Sequence, residues 1–395
     1  MQQGLIRFFK KPIFSDYRFI LAVWSVLSVG VIVIHQFASG VHGNYKIYKY
    51  VFWNVIERYP LYQPRPEAFG DLNHYGPVFS LIIAPFAVLP DIIGSTLWLL
   101  CLCILLFVSL KELPLKKWQI VTICWLITNS LVIAQTNVQF NTATAALIVL
   151  SYTMIKKEKD GWAAFMIMLG AFVKLYGIVG FAFFFFSKHK SRLLIWSVIW
   201  SVVFFVLPMA ISSPDFIISQ YQAWFQELAH KNIQNNNCLL QNVSLIGMIK
   251  KTTGHFEWSN LFVILPGIML FALSLLNFRA YKNVGYQLRM LASVLLFVVL
   301  FSTGSEPNTY IIALVGAAIW FVVQQKPFSF WDWGLLAFVV LFASFGPSDL
   351  FPRKIYTQFI LPNALQALPC TLIWLRIIWE MIVLKGKESS MQELS

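Results

Sequence analysis

Charged residues are scarce in this chain, and the motifs of soluble nucleotide chemistry are missing. Only 12% of its 395 residues are charged, whereas a typical soluble domain has about 25%. No P-loop, no GxGxxG and no HExxH occurs, and the five cysteines show no metal-ligand spacing. The sequence therefore gives no support for nucleotide chemistry on a soluble domain.

Apolar residues dominate instead, at 58% of the chain, and they recur in long runs. A run of about 20 such residues crosses a bilayer. The basic residues, which give a net charge of +13, collect between these runs, as is typical of cytoplasmic loops. We therefore predict an all-α polytopic membrane protein with about 10–12 transmembrane helices. One integral membrane domain, residues 1–395, has both termini in the cytoplasm and two large outer loops, residues 38–76 and 212–259.

Two apolar segments are predicted to be broken. Residues 77–110 contain Pro85 and Pro90, so we expect a half-inserted helix over residues 78–89 before one net crossing. Residues 162–187 have basic runs at both ends, as if both ends were cytoplasmic, and carry Lys174 in the middle. Two short tilted pieces that meet near Lys174 would reconcile these features.

The first outer loop opens with a predicted amphipathic helix. Apolar Ile47, Val51 and Val55 alternate with Lys46 and Lys49 at helical spacing. Such a helix fits the membrane–water boundary, where its apolar and polar faces are both satisfied. We expect this loop to hold the chemistry of the protein.

Polar and ionisable side chains gather at the predicted outer face, where each is a functional candidate by default. Asp71 is a catalytic carboxylate, or else an ordinary turn residue or the N-cap of the next helix. Lys174 either binds phosphate or snorkels to an interface. Gln135 and Asn137 are explained more simply as a polar turn between two spans, and Glu306 as a helix cap.

Five phrases, in this order, resemble a known family. They are NYKIYKYVFWNVIERYPLY, HYGPVFSLIIAPFAVLPDIIGSTLW, AQTNVQFNTATAALIVL, GAFVKLYGIVGF and LLQNVSLIGM. Together they are similar to the bacterial polytopic glycosyltransferases of the GT-C superfamily, in the branch of polyprenol-phosphate-mannose-dependent α-mannosyltransferases, glycosyltransferase family 87. The resemblance implies a GT-C-like helix bundle that transfers a hexose, mannose in that branch, from polyprenyl phosphate to a glycan or glycolipid. The reaction would take place at the outer face of the bacterial cytoplasmic membrane.

The resemblance also implies an inverting transfer in which a carboxylate of the first outer loop takes the proton of the acceptor hydroxyl. The family's aspartate falls on Asn44 here, four residues before Tyr48, and an amide cannot be a general base. We therefore assign the base to Asp71, with Glu67 second. The cations expected to bind the leaving phosphate are Lys174, Arg58, Arg65 and His74. The further candidates for substrate binding are Asn44, Tyr48, Tyr75, Gln135, Asn137, Asn242, Ser244 and Glu306.

Two other functions stay open beside this enzyme. A transporter or flippase of lipid-linked glycans would more often have internal repeats, and no repeat is visible. A catalytically silent family member is compatible with Asn44. We expect no cofactor, since the lipid-linked sugar is itself a co-substrate, and we leave a divalent metal open. The expected partners are the sugar donor, the acceptor and membrane lipids, without nucleic acid.

Overall fold

The computed structural model describes residues 11–39, 43–238 and 241–384. The predicted placement of the two termini concerns residues outside these ranges. The chain is 75% helical, and its described residues form no strand, which confirms the predicted all-α class. The helices are α1 (Tyr17–Ser39), α2 (Gly43–Glu57), α3 (Phe79–Ala87), α4 (Asp91–Lys111), α5 (Lys117–Thr136), α6 (Asn141–Lys156), α7 (Asp160–Lys174), α8 (Lys190–Val206), α9 (Pro214–Asn237), α10 (Leu245–Thr253), α11 (Leu261–Leu275), α12 (Val284–Leu300), α13 (Tyr310–Val322), α14 (Phe330–Val339) and α15 (Ala367–Val383).

The centre of the bundle is the pair α12 and α13. Every residue of α13 is buried, as are nearly all residues of α12. A helix that is apolar on all sides must be packed on all sides. Gly316 allows the two helices to approach closely, because a Cβ atom there would lie 2.8 Å from the carbonyl oxygen of Ala292. Helices α5, α6, α14 and α15 pack against this pair.

Apolar side chains are exposed along the outer helices. On α8, Val198 is 65% exposed and Val202 is 58% exposed, and α11 exposes Phe262 and Met269 in the same way. Such a surface is stable only against lipid or a partner. Four described helices are long and apolar enough to cross a bilayer, and shorter apolar helices accompany them. The prediction of a polytopic membrane protein is confirmed, while the count of 10–12 crossings stays a prediction.

Helix α3, which precedes α4, is short, as the two prolines predict. Helix α3 contains Pro85, and Pro90 is the residue before α4. Proline has no N–H to donate and disfavours helical geometry in the residue before it, so the chain turns between the two helices. The predicted helix over residues 78–89 is thus found as Phe79–Ala87.

Helix α2 packs its apolar face on α3. Tyr45, Tyr48 and Val51 are buried on this face, and the Tyr45 hydroxyl donates a hydrogen bond to the Phe86 carbonyl at 2.9 Å. Lys49, on the polar side, forms an ion pair of 2.6 Å with Asp91. The predicted amphipathic helix is therefore confirmed, and it holds the first outer loop against the bundle.

Residues 160–187 form a helical hairpin. Helix α7 ends at Lys174, Leu175 has a left-handed conformation with φ of 44°, and the 3-10 helix Tyr176–Phe186 runs back. Fifteen α-helical residues and eleven 3-10 residues both span about 22 Å, because the rise per residue is about 1.5 Å and 2.0 Å. The two arms are therefore equal in length, with Lys174 at the tip.

Two sets of contacts close this hairpin. Near the tip, a Cβ atom on Gly177 would lie 2.4 Å from the carbonyl carbon of Gly170, so only glycine lets the arms pack this closely. At the base, Ser187 Oγ donates a hydrogen bond of 2.8 Å to Asp160 Oδ1. The two ends lie side by side, so the hairpin makes no net crossing. This confirms the prediction of two pieces that meet near Lys174.

Candidate active site

A polar cavity of about 410 Å³ lies where the first outer loop, the hairpin tip, α9 and the turn before α13 meet. Ligand sites in proteins are usually concave, mostly apolar spaces of about 300–1,000 Å³ with a few converging polar groups. The predicted site residues in its lining are Asn44, Tyr48, Asp71, His74, Tyr75, Asn137, Lys174 and Glu306. The predicted site residues outside its lining are Arg58, Arg65, Glu67, Gln135, Asn242 and Ser244.

Lys174 is the cation at the deep end of the cavity. Its Nζ donates a hydrogen bond of 3.0 Å to Asn141 Oδ1 and lies 5.8 Å and 5.0 Å from the ring centroids of Tyr75 and Tyr176. Aromatic faces attract a cation without neutralising its charge. The groups that contact Nζ directly are neutral, while the carboxylate of Glu306, in the same cavity, acts on the Lys174 charge through space.

The segment that carries His74 and Tyr75 is fixed from both sides. The Tyr75 hydroxyl is 2.9 Å from the Tyr48 hydroxyl, and Asn73 Nδ2 and the Tyr62 hydroxyl both donate to the Tyr75 carbonyl, at 3.1 Å and 2.9 Å. Gly76 N donates to the Val173 carbonyl at 3.1 Å. The first outer loop and the hairpin tip are therefore joined through their backbones at the edge of the cavity.

Substituting Gly76 with alanine should destabilise this joint. A Cβ atom there would lie 2.1 Å from the Phe172 carbonyl oxygen and 2.9 Å from the Trp224 ring, so the hairpin tip would have to move. We expect a loss of about 1–3 kcal/mol in the free energy of unfolding, seen as a lower melting temperature in detergent. The matched control is Gly70→Ala in the same loop, where nothing lies within 4 Å of the added atom. An equal loss in both variants would contradict this account.

Two carboxylates line the cavity, and their surroundings differ. Glu306 Oε2 accepts hydrogen bonds from Gln139 Nε2 at 3.1 Å and from Asn308 Nδ2 at 3.3 Å, and the residue is also the cap of the turn Pro307–Thr309. Asp71 is exposed and accepts one bond, from Leu72 N to Oδ1 at 2.8 Å. Asp71 is therefore the less engaged of the two, since no hydrogen bond to its Oδ2 is found in the described chain.

The structure bears on the alternatives raised for these residues. The cap of α3 is Val78 and not Asp71, which leaves the catalytic carboxylate and the turn residue as the alternatives for Asp71. Lys174 lines the cavity. Glu306 does both things at once, since it begins the turn before α13 and faces the cavity.

His74 lies beside Asp71 and is packed against α9. Its Nδ1 is 3.2 Å from Glu227 Oε1, and its carbonyl accepts a hydrogen bond from Trp224 Nε1 at 3.0 Å. Burial, followed by the charge of Lys231, lowers the pKa of His74 to about 4, and burial raises the pKa of Glu227. The imidazole is thus neutral near pH 7, and its buried Nε2 has no hydrogen-bond partner in the described chain. His74 can exchange a hydrogen bond with a ligand there but adds no positive charge.

The lowered pKa of His74 gives a pH dependence of stability. The unfolded chain binds a proton on this histidine near pH 6.5 and the folded chain only near pH 4, so the unfolded state binds more protons in between. Stability is therefore lost as the pH falls from about 6.5 to 4. In His74→Gln the decrease in melting temperature over this window should be smaller. His189→Gln, at an exposed histidine by the hairpin base, should keep the original slope, and an unchanged slope in His74→Gln would refute the assignment.

Asn44 is the residue on which the sequence resemblance places the family's aspartate. Its Nδ2 donates a hydrogen bond of 2.7 Å to the Asn137 carbonyl at the end of α5. A carboxylate has no proton to donate there and would face a carbonyl oxygen. The amide at residue 44 therefore connects α2 to the turn between α5 and α6, a contact that an aspartate would lose.

Arg65 and Glu67 form a separate cluster away from the cavity. Arg65 is bonded to Glu57 at 2.9 Å and to Glu67 at 3.1 Å and packs on the rings of Tyr50 and Tyr59. Its charge is balanced within the loop. Arg58 is exposed, with φ of 57°. The structure does not bring these two arginines or Glu67 into the lining of the cavity.

The three remaining predicted residues are buried in the protein. Gln135 Nε2 is 3.4 Å from the Leu99 carbonyl. Ser244 caps α10 by accepting from Gly247 N at 3.2 Å and donates to Asn242 Oδ1 at 2.6 Å. Their observed contacts fix the backbone, and none of the three faces the cavity.

Helix α9 supplies cavity residues that were not predicted from the sequence. Leu228, Lys231, Asn232 and Asn235 line the cavity, and their spacing of three, four and seven residues places them on one face of a helix. Asn235 is 5% exposed, and its Oδ1 has no partner in the described chain. This polar stripe in an outer loop was the signal that could have revealed them. Further lining residues are Gln139, Tyr176, Gln241, Ser302, Thr303 and Gly304.

Fold and cavity together define a multi-helix membrane protein with an enzyme-like polar cavity at one end of its bundle. The model of glycosyltransferase family 87 matches residues 73–303, more than half of the chain. The chain belongs to this family, as its sequence phrases predict, and is a membrane glycosyltransferase. A search of the curated proteins finds no significant match.

The matched range covers most of the cavity but not all of it. His74, Lys174, Lys231 and Thr303 lie inside it, whereas Asp71 and Glu306 lie just outside its two ends. In the described residues, no three His, Cys, Asp or Glu side chains are grouped so that they could hold a metal ion. The geometry of the cavity is thus the basis for the roles of its individual residues.

Proposed function

We propose that the protein transfers a hexose, mannose in keeping with its family resemblance, from a polyprenyl-phosphate donor to a glycan or glycolipid acceptor. The observation that carries this proposal is one cavity that contains a base and two lysines, Asp71 with Lys174 and Lys231. The reaction takes place at the outer face of the cytoplasmic membrane. It needs a base for the hydroxyl that attacks and a cation for the phosphate that leaves.

The chemical step balances with these groups. Asp71 takes the proton of the acceptor hydroxyl while the hydroxyl oxygen forms a bond to the anomeric carbon. The bond between that carbon and the phosphate oxygen breaks, and polyprenyl phosphate leaves with the electron pair. Attack on the side opposite the phosphate inverts the anomeric configuration. Lys174 stabilises the charge of the phosphate, and His74 Nε2 and Asn235 Oδ1 are free to bind hydroxyl groups.

The tail of the donor fits the apolar surface beside Lys174. Leu175 lines the cavity and is exposed, and Ile178 follows it on the exposed side of the 3-10 arm. An isoprenoid chain needs such a surface, since it stays in the lipid while its phosphate enters the cavity. The hairpin tip thus offers a cation and an apolar path within a few residues of each other.

The test is transfer by the purified protein. In nanodiscs with radiolabelled polyprenyl phosphate mannose and a mixture of cell lipids and glycans, we expect release of polyprenyl phosphate that depends on the acceptor. Movement of intact donor across vesicles without release would favour the flippase instead. Absence of both would favour a silent family member, the alternative that Asn44 keeps open.

A further inference from the structure

A second groove, of about 760 Å³, adjoins the cavity. It lies between the C-terminal part of α9, α10 and the start of α11. The two spaces have Asn232, Ser302 and Thr303 in common. Thr303 Oγ1 donates a hydrogen bond of 2.6 Å to Asn232 Oδ1, so one side-chain contact stands at the junction. A molecule lying in the groove would reach the cavity by way of this contact.

The walls of the groove combine aromatic rings with amides. Trp258 is 40% exposed, and one face of its ring is covered by His255, with the two rings 4.5 Å apart and nearly parallel. Asn260 Oδ1 is buried without a hydrogen-bond partner in the described chain, and Asn236 Oδ1 accepts only a long bond of 3.5 Å from Lys250 Nζ. The groove thus holds a rigid aromatic surface and amide groups that are not fully used.

This combination suits a sugar ring. A pyranose has one face of C–H bonds, which an aromatic face attracts through its negative quadrupole. Its hydroxyl groups both donate and accept, and an amide side chain offers both functions. A buried polar atom without a partner is unfavourable unless a ligand or water completes it, and Asn260 is such an atom in this groove.

The groove is also bounded by lipid-facing residues. Leu261 and Ile264 of α11 line it, and Leu261 and the neighbouring Phe262 are exposed on the apolar belt of the bundle. A ligand with its sugar on Trp258 can therefore keep an apolar tail along α11. The donor is assigned to the cavity itself, because Lys174 and Leu175 line the cavity and not the groove.

From these observations we infer that the groove is the acceptor subsite, and that it binds the terminal sugar of a lipid-anchored glycan with Trp258 as the stacking surface. The inference rests on the proposed glycosyl transfer and adds the class of the acceptor.

The test uses octyl α-mannopyranoside as a surrogate acceptor for the full chain in nanodiscs. With polyprenyl phosphate mannose as donor, Trp258→Ala should raise the KM for the octyl glycoside about 3- to 10-fold, the loss of one aromatic contact. The KM for the donor should not change. Trp331→Ala is the matched control, because Trp331 is an exposed tryptophan outside the groove. A rise in the KM for the donor, or equal effects of both variants, would overturn the inference.

A second measurement works without turnover. An octyl mannoside that carries a diazirine should label the segment from residue 256 to residue 260 in the wild type and lose this label in Trp258→Ala. Methyl α-mannopyranoside should compete more than about 10-fold less well than the octyl glycoside, because it lacks the apolar tail. Labelling without transfer would refute the proposed function and keep the groove as a glycan site. Labelling that Trp258→Ala does not change would refute the groove.

Discussion

Asp71→Asn is expected to lower kcat for sugar transfer by about 10²–10⁴-fold, the usual contribution of a general base. The amide keeps the size of the side chain but cannot take the proton of the acceptor hydroxyl. Because Asp71 is exposed and accepts a single hydrogen bond, from Leu72 N, the melting temperature should not change. The measurement is single-turnover release of polyprenyl phosphate with saturating acceptor.

Three variants make this result specific to Asp71. Asp349→Asn removes a fully exposed carboxylate far from the cavity lining, and Glu67→Gln removes one that is bound to Arg65 outside it. Both should retain the activity of the wild type. Glu306→Gln tests the second carboxylate of the cavity. If Glu306→Gln abolishes transfer while Asp71→Asn is active, the base is Glu306 and the assignment of Asp71 is wrong.

Lys174→Met should be nearly as damaging, with kcat lowered by about 10²–10³-fold, as when one group that stabilises transition-state charge is removed. Methionine keeps much of the apolar length that packs near Tyr75 and Tyr176 and removes the charge. The loss should appear in the chemical step, since the charge on the phosphate oxygen increases as its bond to the sugar breaks. The measurement is the single-turnover rate at saturating donor.

The second lysine of the cavity provides a contrast. Lys231 lies on α9 and lines the same cavity, so Lys231→Met should mainly raise the KM for the donor and reduce its dependence on salt. Lys282→Met, at an exposed lysine outside the cavity, should have no effect. An unchanged kcat in Lys174→Met would remove this residue from the mechanism.

Proline and charge positions made the breaks in the fold predictable. Pro85 and Pro90 gave the break between α3 and α4, and the basic runs around residues 162–187 required both ends of that segment to lie on one side. The hairpin satisfies that requirement. Its tight packing depends on the contact between Gly170 and Gly177, which lie on opposite arms and are seven residues apart in the sequence. One of these arms is a 3-10 helix, so the α-helical periodicity of the sequence does not predict this contact.

Only part of the cavity could be predicted from the sequence, because its residues come from distant segments. Asp71 and Lys174 could be predicted from the sequence, because each is a polar residue beside an apolar segment. The same reasoning also selected Arg65 and Ser244, whose charge or hydroxyl is satisfied locally by Glu67 and by the start of α10. A sequence displays a polar side chain but not the partner that neutralises it. The face of α9 that carries Lys231 and Asn235 could have been found from its helical spacing, if the outer loop had been treated as a helix.

The hairpin also has a mechanical consequence. Its tip presents Lys174 to the cavity, while its base is fixed about 22 Å away by the bond between Ser187 and Asp160 and by the ion pair between Lys188 and Glu158. The contacts at the base therefore help to fix the position of the Lys174 ammonium group at the other end of the hairpin. Residues at the base of the hairpin thus affect the reaction through the position of Lys174, although they do not line the cavity.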